Sequence, residues 1–197
     1  MTDNNARSTK TLHISSVLPP LLSSGDSSAT FCLDFVPYLQ FDVCVRKFIK
    51  SLHCGQSATI TFSALAPHIR FLSKNFILSA VPFMPRTYLD DADSDPADVR
   101  RFERAYTPLF VSLTRLTELL CSTSPQITIK CVEQVSDEYS QSLLTLERML
   151  LQDKIVRDVL IRRWSLSGWR EHRLMLAWEA GLFSSGLLHR WKVVIDK

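Results

Sequence analysis

Between Thr30 and Val36 the chain alternates Phe31, Leu33 and Phe35 against Cys32, Asp34 and Val36, a strand period with one apolar face that Pro37 closes. From Phe41 to His53 the period changes. Phe41, Cys44, Val45, Phe48, Ile49 and Leu52 share one helical face, Arg46, Lys47 and Lys50 lie opposite, and Gly55 is placed to end the helix. Ala58 to Leu65 returns to alternation, with Ile60 and Phe62 set against Thr59, Thr61 and Ser63, and is the clearest strand in the chain. Pro67 opens a short helical turn through His68, Ile69, Phe71 and Leu72. Asn75 interrupts it, and Phe76 to Val81 reads as a further strand.

A loop bounded by Pro82, Pro85 and Pro96 leads to helical chemistry at Asp95-Pro96: an N-cap acceptor, a proline at the first helical position, and Asp98 in the first turn. Val99, Phe102, Tyr106, Leu109, Leu113, Leu116 and Leu120 then step by threes and fours, with Pro108 predicting a kink near Tyr106 and Thr107. Gln126 to Glu133 alternates as a strand. A second long helix is expected from Ser136 to Trp164, apolar on two sides and so sandwiched, with Asp153 and Arg157 at pairing distance along one face. Leu174, Leu176 and Trp178, followed by His189, Trp191, Val193 and Ile195, read as the two arms of a C-terminal hairpin joined by EAGLFSSG.

These elements predict an α+β fold in one domain: a mixed or antiparallel sheet of about six to seven strands packed with two long helices and a C-terminal β-hairpin. Residues 1–10 read as a flexible arm and 11–197 as the domain. Within it, 11–81 form a strand-rich half with a short helix, 95–164 two long helices flanking a strand, and 173–196 the hairpin. The spelling Leu18-Pro-Pro-Leu21-Leu22 resembles a helical docking peptide, but two prolines oppose that helix.

Composition narrows the chemistry. A chain of 197 residues that is 46% apolar and 22% charged has the means to bury a core, and its net charge of +3 is too mild to identify a phosphate-binding surface. Five cysteines without a CxxC pair or metal spacing point to a reducing compartment. The polar start MTDNNARSTK and the absence of an apolar run of about 20 residues point to a cytoplasmic or nuclear protein without integral membrane association.

Specific sites fail on their own requirements. Asp91, Asp93 and Asp95 match the first positions of a calcium loop, but Pro96 replaces its glycine and Phe102 its bidentate glutamate. Histidines at 13, 53, 68, 172 and 189 are scattered, so no metal is expected. Cys44, Cys54 and Cys121, with His53, His68 or His172, are the candidates for cysteine catalysis, without an elbow, dyad spacing or glycine loop to support it. No catalytic residue and no cofactor follow from the sequence.

The most distinctive stretch is RRWSLSGWREHR, Arg162 to Arg173. All four tryptophans fall at or after Trp164, and from Arg157 onward eight Lys/Arg stand against four Asp/Glu. Arg157, Arg162, Arg163, Trp164, Trp169, Arg170, Arg173, Arg190 and Lys192 form a candidate nucleic-acid surface, since guanidinium groups pair with phosphates while rings stack on unpaired bases. Against this, Arg162 and Arg163 suit a helix end, and Trp178 and Trp191 suit the hairpin's apolar faces. Surplus apolar helix surface and absent catalytic signatures instead favour a non-enzymatic assembly or adaptor subunit, structural and self-associating or part of a larger complex. Its expected partner is a protein or a second copy, with RNA or single-stranded nucleic-acid binding as the alternative.

Overall fold

The computed structural model describes residues 28–84 and 106–197. The N-terminal arm, the Leu18–Leu22 stretch, the aspartate run and the helix start at Asp95-Pro96 lie outside the described residues. β1 (Ser28–Cys32) leads through a 3-10 turn at Leu33–Phe35, and a second at Tyr38–Gln40, into α1 (Phe41–Ser51), then β2 (Ser57–Leu65) and α2 (Lys74–Ala80). A 3-10 turn at Val81–Phe83 follows. After it the described chain continues with α3 (Thr107–Phe110), α4 (Leu113–Thr123), β3 (Thr128–Gln134), α5 (Ser136–Gln152), α6 (Lys154–Ser184) and β4 (Leu188–Asp196).

The four strands make one mixed sheet in the order β1-β2-β4-β3. β1 and β2 run parallel, joined by α1 as such a pair requires, and β4 inserts antiparallel to both β2 and β3. The α+β class and the single mixed sheet stand, but about six to seven strands are corrected to four.

Period-2 alternation places Ala58, Ile60, Phe62 and Ala64 of β2, with Val193 and Ile195 of β4, on one face beneath α1 and α4, whose Phe41, Val45, Ile49, Leu116 and Leu120 complete that core. A second cluster gathers Leu143 and Leu150 of α5, Leu160, Trp164, Trp169, Leu176 and Phe183 of α6, and Phe76 of α2 around Leu188. α5 packs against α6 and β4, but the second apolar side expected of this segment is not sandwiched: Leu151 and Ile155 are exposed.

The strand expected over Thr30–Val36 ends at Cys32, where a 3-10 turn begins that brings the Asp34 carboxylate to the Ser63 N–H. Phe76 to Val81 is helical rather than extended. Ser73 Oγ caps that helix by accepting the Phe76 N–H (3.2 Å), which outweighs the β-leaning composition of a short apolar run. Pro108 sits in the first turn of α3, where its missing donor costs nothing. The break comes instead at Val111-Ser112, and Ser112 Oγ caps α4 through the Arg115 N–H (3.1 Å).

The largest correction is C-terminal. The helix from Ser136 stops at Asp153, which accepts the N–H groups of Ile155 (2.9 Å) and Val156 (3.1 Å) and so starts a new helix rather than pairing with Arg157. That helix then runs through the whole segment assigned to the connector and the first hairpin arm. Leu174, Leu176 and Trp178 alternate over five residues, too few to separate strand from helix. Trp169, Leu176, Ala180 and Phe183, at helical spacing, form the buried stripe. Only the second arm survives, as β4.

Candidate functional site

Open α/β sheets take ligands at the carboxyl ends of their parallel strands. Here those are the ends of β1 and β2, at Asp34 and beyond Leu65. The 3-10 turn after β1 carries the Asp34 carboxylate under the sheet, where it accepts the Ser63 N–H (2.7 Å) and the Ser63 hydroxyl (3.0 Å). Ser63 of β2 stands directly opposite Arg190 of β4, and the Arg190 guanidinium closes an ion pair with Asp34.

The remaining donors of Arg190 go to Ser63 Oγ (3.0 Å), Thr61 Oγ1 (3.2 Å) and Cys32 Sγ (3.6 Å), while its plane lies 4.5 Å from the centre of the Tyr139 ring. Asp34 is 2% and Arg190 7% exposed. Burial works against the guanidinium charge, but Asp34, with smaller help from Tyr139 and Cys32, outweighs it and holds Arg190 protonated above its ordinary range. A buried carboxylate and guanidinium satisfied by each other and by hydroxyl groups tie three strands together. They have little left to offer a ligand.

The segments after β1 and β2, together with α3, form an apolar rim. Tyr38 meets Phe110 (ring centroids 5.4 Å), Phe110 meets Phe76 (6.4 Å), and Phe76 meets Phe71 (4.9 Å). Leu39 and Leu72 stand exposed beside them.

The structure disperses the basic and aromatic residues singled out from the sequence. Trp164 and Trp169 are 5% and 7% exposed, packed in the second core with Trp164 tilted against His172 (5.1 Å), so neither ring is open to a base. Arg173 lies over Trp169 (4.8 Å) and pairs with Glu147. Lys192 pairs with Glu133 (3.0 Å), Arg157 approaches Asp158 (3.8 Å), and Arg162 donates to the Asp158 carbonyl (3.2 Å). Arg163 and Arg170 are exposed on α6, whereas Arg190 is buried in the ion pair and Lys192 lies two residues along β4.

Of the cysteine candidates, Cys54 and Cys121 are exposed and Cys44 is half-buried on α1. Among the described residues no group of three or more His, Cys, Asp or Glu is arranged to hold a metal ion, and no helix is long and apolar enough to cross a membrane. Sequence reading missed Asp34. Its one signal was an acid flanked on both sides by apolar residues in Phe31-Cys-Leu-Asp-Phe-Val36.

No protein-family model and no curated protein matches the sequence. Solved structures do. The cyclopropane synthase MmaA2 from Mycobacterium tuberculosis superposes with a TM-score of 0.59 at 12% identity, over 86% of this chain and 54% of that one. Mycolic acid cyclopropane synthase CmaA1, complexed with SAH and CTAB, gives 0.53 at 12% identity over 88% and 57%. Phosphoethanolamine N-methyltransferase 2 from Haemonchus contortus, in complex with phosphomonomethylethanolamine and S-adenosylhomocysteine, gives 0.50 at 15% identity over 85% and 32%.

The fold is a methyltransferase-like fold. The chain spans from about a third to just over half of the length of these matches. This likeness corrects the expectation of a non-enzymatic adaptor or structural subunit. The adaptor reading rested on surplus apolar helix surface and absent catalytic signatures, and the second is a weak guide in a fold shared with transfer enzymes at 10–15% identity. The connector on which the RNA reading rested is helical, with Trp164 and Trp169 buried and Arg162, Arg163 and Arg170 exposed.

Proposed function

We propose that this chain serves in S-adenosylmethionine-dependent methyl transfer. The observation that carries the reading is the superposition of 86% of the chain on MmaA2 at a TM-score of 0.59, with the carboxyl ends of β1 and β2 as the ligand-facing end of the sheet. When bound, S-adenosylmethionine would supply an electrophilic methyl group.

The described residues do not fit that cofactor. Asp34, the acid at the end of β1, is committed to Arg190 and Ser63. Gly55 and Gly186 lie before the amino ends of β2 and β4, Gly181 lies within α6, and an added Cβ at any of these three would meet nothing within 4 Å. No chemical step is assigned to Asp34 or Arg190. Their part is to hold β1, β2 and β4 in register.

The test is calorimetric titration of the folded full chain with S-adenosylhomocysteine, paired with transfer of label from tritiated S-adenosylmethionine to a panel of small-molecule acceptors. Saturable binding or acceptor labelling is expected. A chain that melts cooperatively yet shows neither overturns the proposal.

A further inference from the structure

The rim at the ends of β1 and β2 gathers large apolar side chains in the open, the kind of patch that marks an interaction surface. Leu39 is 93%, Phe71 66% and Leu72 67% exposed, and Tyr38, Ile77 and Phe110 add to them. The ring contacts from Tyr38 through Phe110 and Phe76 to Phe71 make this one surface drawn from three separate segments, over the buried floor of Phe76.

Two details concern what covers it. Leu72 holds a left-handed backbone (φ 59°) that an L-residue adopts only at a cost, and at this conformation its side chain is presented outward. The charge on the same segments is one-sided. Residues 35–41, 65–84 and 106–112 contain no Asp or Glu, while Arg70 and Lys74 stand exposed on either side of Phe71 and Leu72.

We infer that this rim docks the protein on an anionic lipid bilayer. Leu39, Phe71 and Leu72 enter the acyl boundary, and Arg70 and Lys74 meet the headgroups. Side chains exposed by about two thirds or more suit insertion between lipids, and Arg70 and Lys74 beside the apolar tips match an anionic interface, the nearby acid Asp42 being paired with Arg115. A protein partner would need acidic groups ringing an apolar hollow and is the less direct fit. The inference does not depend on the methyl-transfer reading, since vesicle binding needs neither cofactor nor acceptor.

The experiment is flotation of the full chain with vesicles of phosphatidylcholine alone and of phosphatidylcholine with phosphatidylserine, at low and high salt. Binding to the serine-containing vesicles that weakens with salt is expected. Leu39→Ser combined with Phe71→Ser and Leu72→Asn should reduce it by about tenfold or more, with the melting midpoint kept, because the three side chains are exposed and asparagine tolerates the left-handed backbone. Arg70→Gln with Lys74→Gln should abolish the preference for the anionic vesicles.

Three results overturn the inference. The wild-type chain floats with neither vesicle; the triple variant floats as well as wild type; or light scattering shows a dimer that the triple variant dissociates while wild type ignores vesicles, which makes the rim a self-contact.

Discussion

Arg190 of β4 faces Ser63 of β2 across the sheet, and from there its guanidinium closes on Asp34 at the end of β1, so one side chain links three strands whose residues are far apart in sequence. Removing one partner of such a pair leaves an uncompensated buried charge, whereas removing both leaves none. Asp34→Ala should therefore destabilise the chain by about 3–5 kcal/mol, and Arg190→Met with Asp34→Leu should recover most of that loss. Urea melts of wild type, single and double variants measure it. A loss in the double variant equal to the sum of the two single losses would show that the pair is not coupled.

Trp164 and Trp169 are core residues of α6 despite their basic neighbours. In variants that keep only one of them as the sole tryptophan, emission should be blue-shifted and resist iodide, with quenching rising sharply only on denaturation. Strong quenching of the folded protein would place these rings at the surface and reopen contact with bases.

Ser165 interrupts α6 with φ 65° and ψ 170°, a region that glycine occupies freely and other residues at a cost of order 1–3 kcal/mol. Its hydroxyl accepts the Gly168 N–H (3.3 Å), a cap whose replacement by glycine forfeits only a few tenths of a kcal/mol. Ser165→Gly should thus raise stability by about 1 kcal/mol, read as a higher melting midpoint with unchanged helical ellipticity. A lower midpoint would mean that the cap outweighs the strain.

His189 on β4 has its pKa pushed below the ordinary histidine value, first by partial burial and then by the charge of His68. The unfolded chain then binds a proton more readily than the folded one. The stability His189 confers is complete above the unfolded pKa and is lost as pH falls from there through the folded value. Between neutral and mildly acidic pH, stability should fall less steeply in His189→Gln than in wild type, as followed by melts at several pH values. Identical slopes would remove His189 from the acid response.

The local periods along the chain determined α1, β2 and β3, because each is long enough for its apolar pattern to repeat and each lies on one face of one core. They failed where a short apolar run serves either geometry. Phe76 to Val81 became a helix through the Ser73 cap, and Leu174 to Trp178 became helix because its neighbours at helical spacing had α5 and the second core to pack against. The basic character of Arg157 to Lys192 was legible in the sequence. Which of those charges face solvent was decided only when Glu147, Glu133 and Asp34 arrived from other elements. Asp34 itself read as one more polar position of a strand. Its role exists only because β4 enters the sheet antiparallel beside β2, bringing Arg190 within reach of a carboxylate more than 150 residues earlier, a pairing that no local pattern encodes.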